Sequence, residues 1–377
     1  MHRIATTLHE KTRIVVKIGT NLLTDKLSGL NHDRINSLAR GVSHIQSLGY
    51  HVAVVSSGAI GAGVAARGLK ERPRTMPEKQ ATAAIGQPIL MEAYEAAFRT
   101  QAITVGQILL TKDDFVNRAR YLNARNTLAV LFENRVVPII NENDTVAVEE
   151  IKLGDNDNLS AMVANLVEAD LLIILSDIDG FYSDDPSHNR HAELIPIVET
   201  ITPRIEKQAK KSGGGLGTGG MMTKIQAAKL CTSAGIAMII ANGSNPRVLQ
   251  EIVSGECRGT LFLPATHRLN VKKRWIGFVS HPRGSVRIDE GAKAALTNHR
   301  KSLLPSGILE VTGVFNEKDT ISVLDVTGNE IARGVSGYSS AELAMIRGRK
   351  TDDVETILGR RAHGEVIHKD NLVLLSK

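Results

Sequence analysis

The strongest constraint on the fold is the alternation of short apolar runs with longer segments of helical periodicity. The runs Arg13–Ile18, His51–Val55 and Ala169–Ser176 are rich in branched apolar residues, and they predict buried strands. The last run is apolar at nearly every position, which is typical of a parallel strand covered on both faces. Intervening segments such as Arg34–Leu48 carry apolar residues at helical spacing. The pattern predicts an α/β fold, a three-layer, doubly wound and mostly parallel sheet, up to about Leu263.

The character of the sequence changes after Leu263. Residues 264–280 form a basic stretch with few structural signals, and we interpret them as a linker. Beyond it, short runs separated by turn residues predict a small β-barrel domain over residues 281–377. The predicted strands of this domain are Ser285–Ile288, Glu310–Phe315, Thr320–Val326, Glu330–Val335 and Asn371–Leu375. We therefore predict three segments: a domain at 1–263, a linker at 264–280 and a second domain at 281–377.

Composition narrows the class of partner. The 377 residues carry a net charge of +6, which favours phosphorylated small molecules or nucleic acid as partners. Aromatic residues make up only 3%, which argues against base stacking as the main function. Two cysteines, Cys231 and Cys257, lack metal-binding spacing, so we predict no metal centre and a reducing compartment. The sequence shows no secretory signal and no membrane-spanning run, so we expect a cytoplasmic protein with no membrane partner.

A glycine-rich stretch, Ser212–Lys224, reads SGGGLGTGGMMTK and leads into a helical segment, Ile225–Ala234. Glycines allow consecutive backbone N–H groups to converge on an anion, and a helix N-terminus and Lys224 add positive charge. The stretch indicates a phosphate site, although a flexible surface loop would have the same composition. It is not a dinucleotide fingerprint, because no strand precedes it, and not a P-loop, because Thr223 precedes the lysine.

Small and charged residues lie where predicted strands end. Lys17 is near the end of the first strand, where it is either a solvent-facing edge residue or a charge held for a ligand. Ser57 and Gly58 follow the strand His51–Val55 and open a helix. Open α/β sheets bind ligands at the carboxyl ends of their strands, so the Ser57 hydroxyl and the Gly58 amide are candidates for holding a carboxylate or phosphate. The alternative is a tight turn between strand and helix.

A second polar cluster comprises Asn141, Asp144, Asn156 and Asp157, at the ends of apolar elements. Helix capping by Asp157 or Asn158 would account for one of these residues but not for four. We therefore expect the cluster to include ligand-binding groups.

Five motifs, in this order, are similar to those of a known family. They are VVKIGT at Val15–Thr20, SSGAIGAG at Ser56–Gly63, INENDTV at Ile140–Val146, GDNDNLSA at Gly154–Ala161 and GLGTGGMMTK at Gly215–Lys224. They resemble the amino-acid kinase family, and within it the members that phosphorylate L-glutamate in the first step of proline biosynthesis. The segments SLLPSGI at Ser302–Ile308 and IARGVSGYSS at Ile331–Ser340 resemble the PUA domain that bacterial members carry.

The resemblance implies a role for each matching residue. The catalytic residues would be Lys17 and Lys224, which contact the ATP phosphates, and Asp157, which orients both lysines. The residues implied to bind glutamate are Ser57, Gly58, Asn141, Asp144 and Asn156. The residues implied to bind the nucleotide are Lys17, Gly19, Ser176, Asp177, Thr218, Gly219, Gly220, Met221, Met222, Thr223 and Lys224.

The resemblance also implies cofactors and partners. ATP would arrive with Mg²⁺, and proline would act as a feedback inhibitor at or overlapping the glutamate site. A homodimer or homotetramer, delivery of the product to glutamyl phosphate reductase, and RNA binding by the PUA-like domain are further implications.

Two alternatives remain open on the sequence. A different amino-acid kinase, acting on aspartate, acetylglutamate or carbamate, would share the lysines and glycines. An RNA-binding protein with a degenerate kinase fold would use the second domain instead, although the presence of Lys17, Asp157 and Lys224 argues against degeneracy.

Overall fold

The computed structural model describes residues 12–25, 29–147, 156–211, 220–256, 258–265, 273, 276–277, 282–361 and 364–375. The chain divides into two compact units, Met1–Arg268 and Leu269–Lys377. This division falls inside the segment interpreted above as a linker. The exact domain limits at 263 and 281 stay predictions.

The first unit alternates strands and helices as the sequence pattern indicates. Its strands are β1 Arg13–Ile18, β2 Thr24–Asp25, β3 Gly29–Leu30, β4 His51–Val55, β5 Val105–Leu110, β6 Val137–Glu142, β7 Leu171–Ser176, β8 Ile197–Val198, β9 Ala237–Asn242 and β10 Gly259–Phe262. Its helices are α1 Thr20–Leu23, α2 His32–Ser47, α3 Ala59–Ala66, α4 Met76–Arg99, α5 Lys112–Val116, α6 Arg118–Glu133, α7 Asn156–Leu166, α8 Pro203–Lys211, α9 Met221–Ser233 and α10 Val248–Ser254.

Eight of the described strands form one sheet in the order β5-β6-β4-β1-β7-β9-β10-β8. The pairs from β5 to β9 are parallel, which confirms the predicted doubly wound α/β fold. The sequence pattern did not predict β10, which follows β9 in the chain and pairs with it in the antiparallel direction. The run Gly259–Phe262 is only four residues long, too short for its periodicity to be distinctive.

Alternate residues of each central strand face opposite helical layers, because side chains on a strand alternate between its two faces. On β1, Ile14, Val16 and Ile18 are fully buried in a core cluster that also contains apolar residues of α2, α4 and α10. Residues of the other parity, Val15 and Lys17, face the layer that contains α7. This parity directs the Lys17 ammonium toward α7 and away from solvent.

The second unit contains a five-stranded sheet with short helices. Its sheet order is β12-β11-β13-β14-β15, and its core is a separate cluster of buried apolar residues. The strands are β11 Gly284–Ile288, β12 Ile308–Gly313, β13 Thr320–Leu324, β14 Glu330–Val335 and β15 Leu372–Leu374, and the helices are α11 Glu290–Thr297, α12 Ser340–Ile346 and α13 Val354–Leu358. The five predicted strands are all present, and each agrees with its predicted bounds to within a few residues.

Candidate active site

The centre of the site is the carboxylate of Asp157, in the first turn of α7. Its Oδ1 atom lies 2.6 Å from the Lys17 Nζ atom, and its Oδ2 atom lies 3.2 Å from the Lys224 Nζ atom. The side chain of Asp157 is fully buried, and Lys17 and Lys224 are only 4% and 5% exposed. One carboxylate therefore holds two ammonium groups from different elements, β1 and α9, beneath the surface of the protein.

The local folding of each element explains this convergence. Lys17 faces α7 because of the strand parity of β1, and α7 packs against both β1 and α9. Asp157 also receives a contact from α9 itself: its Oδ2 atom accepts a hydrogen bond of 2.9 Å from the Thr223 hydroxyl. Asp157 therefore also contacts the first turn of α9.

The charge balance of this cluster favours an anion. The cluster brings one carboxylate and two ammonium groups together in a poorly solvated place. Such burial costs several kcal/mol per ion unless other charges compensate it. A negatively charged ligand group next to Lys17 and Lys224 would supply that compensation, and phosphate oxygens fit the requirement.

The predicted nucleotide residues lie around this cluster wherever the structure describes them. Gly220 is the N-cap of α9, and Met221, Met222 and Thr223 form the first turn that leads to Lys224. A Cβ atom built on Gly220 would meet no atom of the described residues within 4 Å. Thr218 and Gly219 lie outside the described residues.

Two further predicted nucleotide residues, Ser176 and Asp177, lie at the carboxyl end of β7. The Asp177 carboxylate accepts hydrogen bonds of 3.1 Å from the Ser176 hydroxyl and from the Asn21 side-chain amide. Burial by itself would raise the pKa of Asp177, but these hydrogen bonds and the charge of Lys224 together lower it below the usual value. Asp177 is therefore ionised at neutral pH.

Gly19 follows β1 directly. A Cβ atom built at this position would lie 3.7 Å from the Lys17 Nζ atom, an ordinary van der Waals distance. Gly19 therefore lies directly beside the ammonium group of Lys17.

A pocket of about 270 Å³ lies beside the charged cluster. All five residues predicted to bind the acceptor line it: Ser57, Gly58, Asn141, Asp144 and Asn156. Thr20, next to Gly19, also lines the pocket, and Asn156 immediately precedes Asp157. The pocket therefore adjoins the charged cluster through sequence neighbours of Lys17 and of Asp157.

Asn156 organises one wall of this pocket. Its Nδ2 atom lies 2.8 Å from the Ser57 hydroxyl and 3.1 Å from the Asn141 Oδ1 atom, and it also donates to the Ser56 carbonyl. Gly58 adopts φ +105°, in the left-handed region that glycine tolerates best, and it begins α3 as the N-cap. Residues from three separate motifs, Ser57, Asn141 and Asn156, thus share one hydrogen-bonded network.

The structure adds residues in and next to the pocket that the sequence did not predict. Gln87 of α4 accepts a 2.9 Å hydrogen bond at Oε1 from the Asn141 amide, and the charged residues Arg72, Lys79 and Glu142 line the pocket. Tyr94, fully buried on α4, lies 2.8 Å from the Ser56 hydroxyl, and burial raises its pKa. No periodic signal in the sequence shows that the N-terminal half of α4 faces a ligand site.

Comparison with known proteins agrees with this geometry. Residues 12–242 match the model of the amino acid kinase family. The chain belongs to the amino acid kinase family. Residues 284–358 match the model of the PUA domain, so this family member carries a PUA domain in its second unit.

Two relatives of this amino acid kinase are close in sequence. It is 50% identical to a glutamate 5-kinase of Geobacter sp. (strain M21), over 98% of this chain and 99% of the relative. It is 47% identical to a glutamate 5-kinase of Moorella thermoacetica, over 98% of this chain and 97% of the relative. Among solved structures, the UMP kinase from Ureaplasma parvum aligns with a TM-score of 0.49 at 20% identity, over 68% of this chain and 100% of that one.

No described helix has both the length and the apolar character that a membrane span requires. Within the same residues, no group of three or more His, Cys, Asp or Glu side chains is placed to hold a metal ion.

Proposed function

We propose that the protein transfers the γ-phosphoryl group of ATP to the side-chain carboxylate of L-glutamate, giving L-glutamyl 5-phosphate, the first step of proline biosynthesis. The observation that carries the proposal is the buried Asp157 carboxylate holding Lys17 and Lys224 beside a polar pocket. The glutamate 5-kinases to which the chain is similar over nearly its whole length support the choice of acceptor.

The physical difficulty of the reaction is repulsion between a carboxylate and a triphosphate. At about 4 Å and an effective dielectric of about 20, each pair of like unit charges costs about 4 kcal/mol. We assign Lys17 and Lys224 to opposite this repulsion by flanking the γ-phosphoryl group during an in-line transfer. Removing one such contact typically costs about 3–4 kcal/mol, or roughly 10²–10³ in rate.

We assign Asp157 to orienting the ammonium groups of Lys17 and Lys224. A carboxylate that contacts both ammonium groups limits their rotation, so the positive charges are already in place when the phosphoryl group moves. Preorganised charge of this kind needs little rearrangement during the reaction. No general base is needed, because the attacking carboxylate is ionised near neutral pH.

We assign glutamate to the pocket lined by Ser57, Gly58, Asn141, Asp144 and Asn156. The hydroxyl and amide groups suit the reacting carboxylate, and the Asp144 carboxylate suits the substrate ammonium group. The nucleotide is assigned to the residues around the lysine cluster: Gly19, Ser176, Asp177, Gly220, Met221, Met222 and Thr223. Mg²⁺ would arrive on the ATP phosphates and neutralise part of their charge.

Several partners follow from the same proposal. Proline would inhibit by feedback, bound at or overlapping the glutamate pocket, and competition between proline and glutamate in purified protein would test this. We also propose that the protein is a homodimer or homotetramer in the cytoplasm. It would deliver the labile acyl phosphate to glutamyl phosphate reductase. RNA binding by the PUA domain would appear as salt-dependent retention on RNA.

The decisive experiment is a substrate panel with purified protein and Mg-ATP. L-Glutamate, L-aspartate, N-acetyl-L-glutamate and carbamate are compared, and acyl phosphate is trapped with hydroxylamine as the hydroxamate. We expect ADP release and hydroxamate formation with glutamate well above the other acceptors. Turnover with another acceptor at equal or greater kcat/KM would contradict the proposal, as would RNA binding without any ATP turnover.

A further inference from the structure

We propose that Lys79 is a substrate-binding residue that holds the α-carboxylate of glutamate, the carboxylate that does not react, with Arg72 contributing a second positive charge. The inference rests on the proposed function, because it assigns the other end of the same acceptor. Lys17 and Lys224 are assigned to the phosphoryl group, whereas Arg72 and Lys79 line the acceptor pocket together with Glu142 and Asp144.

This mixture of charges matches an amino-acid head group. The α-carbon of glutamate carries an ammonium group and a carboxylate on the same atom, so a complementary pocket must present an anion and a cation close together. Asp144 and Glu142 supply the anionic side, and Lys79 and Arg72 supply the cationic side. The ammonium of Lys79 forms no ion pair with any residue in the described part of the chain.

The acidic residue next to Lys79 in the sequence is Glu78, and its carboxylate caps the start of α4. Glu78 completes the capping box of α4, where its carboxylate accepts hydrogen bonds of 3.1 Å from the backbone N–H groups of Thr75 and Arg74. The backbone hydrogen bond from Thr75, followed by the other cap contacts, lowers the pKa of Glu78. Glu78 therefore stabilises the start of the helix, and the half-buried Lys79 extends from that ordered turn into the pocket.

α4 is fixed against the rest of the site at two points. The Gln80 side-chain amide donates a 3.1 Å hydrogen bond to the Ala147 carbonyl, and Gln87 accepts one from Asn141. These contacts attach α4 to the two ends of the segment that carries Asp144. Lys79 is therefore held at a set position relative to Asp144, as recognition of one substrate carbon requires.

α4 is also fixed against α3, whose N-cap Gly58 lines the same pocket. A Cβ atom on Gly86 would lie 1.8 Å from the Ala59 carbonyl oxygen, and one on Gly63 would lie 2.0 Å from the Thr82 carbonyl oxygen. Backbones this close cannot slide without losing contact. Lys79 thus belongs to a rigid wall, whereas Arg72 lies on the exposed segment before the helix.

The test compares L-glutamate with L-isoglutamine, its α-amide, which keeps the reacting carboxylate and the ammonium group but lacks the α-carboxylate charge. Kinetics with both acceptors are measured for the wild type, Lys79→Met, Lys79→Arg and Arg72→Met. Lys70→Met, an exposed lysine outside the pocket, is the matched control. Melting temperatures show whether each variant is folded, and Lys79→Gln replaces Lys79→Met if the latter is unstable.

We expect Lys79→Met to lower kcat/KM for glutamate by roughly 10- to 100-fold, the range for a hydrogen bond to a charged group. The kcat/KM for isoglutamine should stay near the wild-type value, so the preference for glutamate over isoglutamine disappears. Lys79→Arg should restore part of that preference. Arg72→Met should lower kcat/KM for glutamate to a smaller extent, again with little change for isoglutamine. Lys70→Met should change neither value.

Three results would overturn the inference. Equal losses for both acceptors would mean that Lys79 supports the fold only. A raised KM for ATP with unchanged glutamate kinetics would assign Lys79 to the nucleotide. A wild type with no preference for glutamate over its α-amide would show that the α-carboxylate charge is not recognised. Failure of the wild type to phosphorylate glutamate at all would instead reject the proposed function.

Discussion

Asn156 and Asp157 are consecutive residues in the first turn of α7, and their side chains serve two different parts of the site. Asn156 contacts the Ser57 hydroxyl at 2.8 Å in the acceptor pocket, and Asp157 contacts the Lys17 ammonium at 2.6 Å in the charged cluster. One helical turn therefore sets the separation between the proposed acceptor and the proposed phosphoryl group. Any movement of this turn would change both at once.

Substitution of Lys224 tests the charged cluster. Lys224→Met should lower kcat by roughly 10²–10³, since one cation facing the phosphoryl group is lost. The fold should persist, because Lys17 still compensates the buried Asp157. The matched control is Lys229→Met on the same helix, whose exposed ion pair with Glu206 should contribute little. The kcat of both variants is measured by steady-state kinetics. Near-wild-type turnover of Lys224→Met would refute the assigned mechanism.

Substitution of the pocket residues tests the acceptor site. Asn156→Ala and Asp144→Ala should raise the KM for glutamate by about 10-fold or more, because each removes a polar group from the pocket lining. The KM for ATP should change much less. Asn158→Ala, two residues further along α7, is the control. An effect confined to ATP would contradict the assignment of these residues to the acceptor.

Substitution of Gln87 tests whether a residue that contacts Asn141 influences glutamate binding through it. Gln87→Leu leaves the Asn141 amide without its 2.9 Å partner, and Asn141 in turn contacts Asn156. We expect a rise of about 3- to 10-fold in the glutamate KM, consistent with one neutral hydrogen bond of about 1 kcal/mol.

The same substitution in an Asn141→Ala background completes a double-mutant cycle. If Gln87 acts through Asn141, Gln87→Leu should have almost no further effect in that background. Additive effects of the two substitutions would show that Gln87 acts by another route.

The second unit supplies a prediction about pH and stability. Asp325 is buried and anchors a turn: it accepts a 2.6 Å hydrogen bond from the Thr327 hydroxyl and pairs with Lys293 at 3.0 Å. The Thr327 contact, followed by Lys293, holds the pKa of Asp325 well below its usual value. A carboxylate of this kind stabilises the fold above its unfolded pKa, about 3.9, and that contribution is lost as the pH falls further toward the folded pKa.

Asp325→Asn should therefore lower the melting temperature of the second unit at neutral pH. The difference from the wild type should narrow as the pH falls below about 4, where the unfolded carboxyl group begins to take up its proton. Thermal unfolding followed at several pH values would measure this. A difference that stays constant down to about pH 3 would show that the charge of Asp325 does not contribute.

The strand pattern was sufficient to predict the α/β class, because each central strand is apolar on both faces and only a doubly covered sheet buries both. The five residues proposed to bind the acceptor were also predictable as candidates, since polar groups at strand ends and glycine at position 58 mark ligand sites in such sheets. Their convergence in one pocket is a property of the fold. The antiparallel strand β10 escaped prediction because four residues carry too little periodicity.

The sequence by itself determined which segments are buried, which ends are polar and which family the motifs resemble. Only the tertiary structure decided that Lys17, Asp157 and Lys224 meet, that α4 brings Lys79 to the acceptor pocket, and that Gln87 contacts Asn141. The physical reason is that periodicity records the environment of each segment separately. Contacts between segments depend on the strand order β6-β4-β1-β7-β9, which differs from the order along the chain.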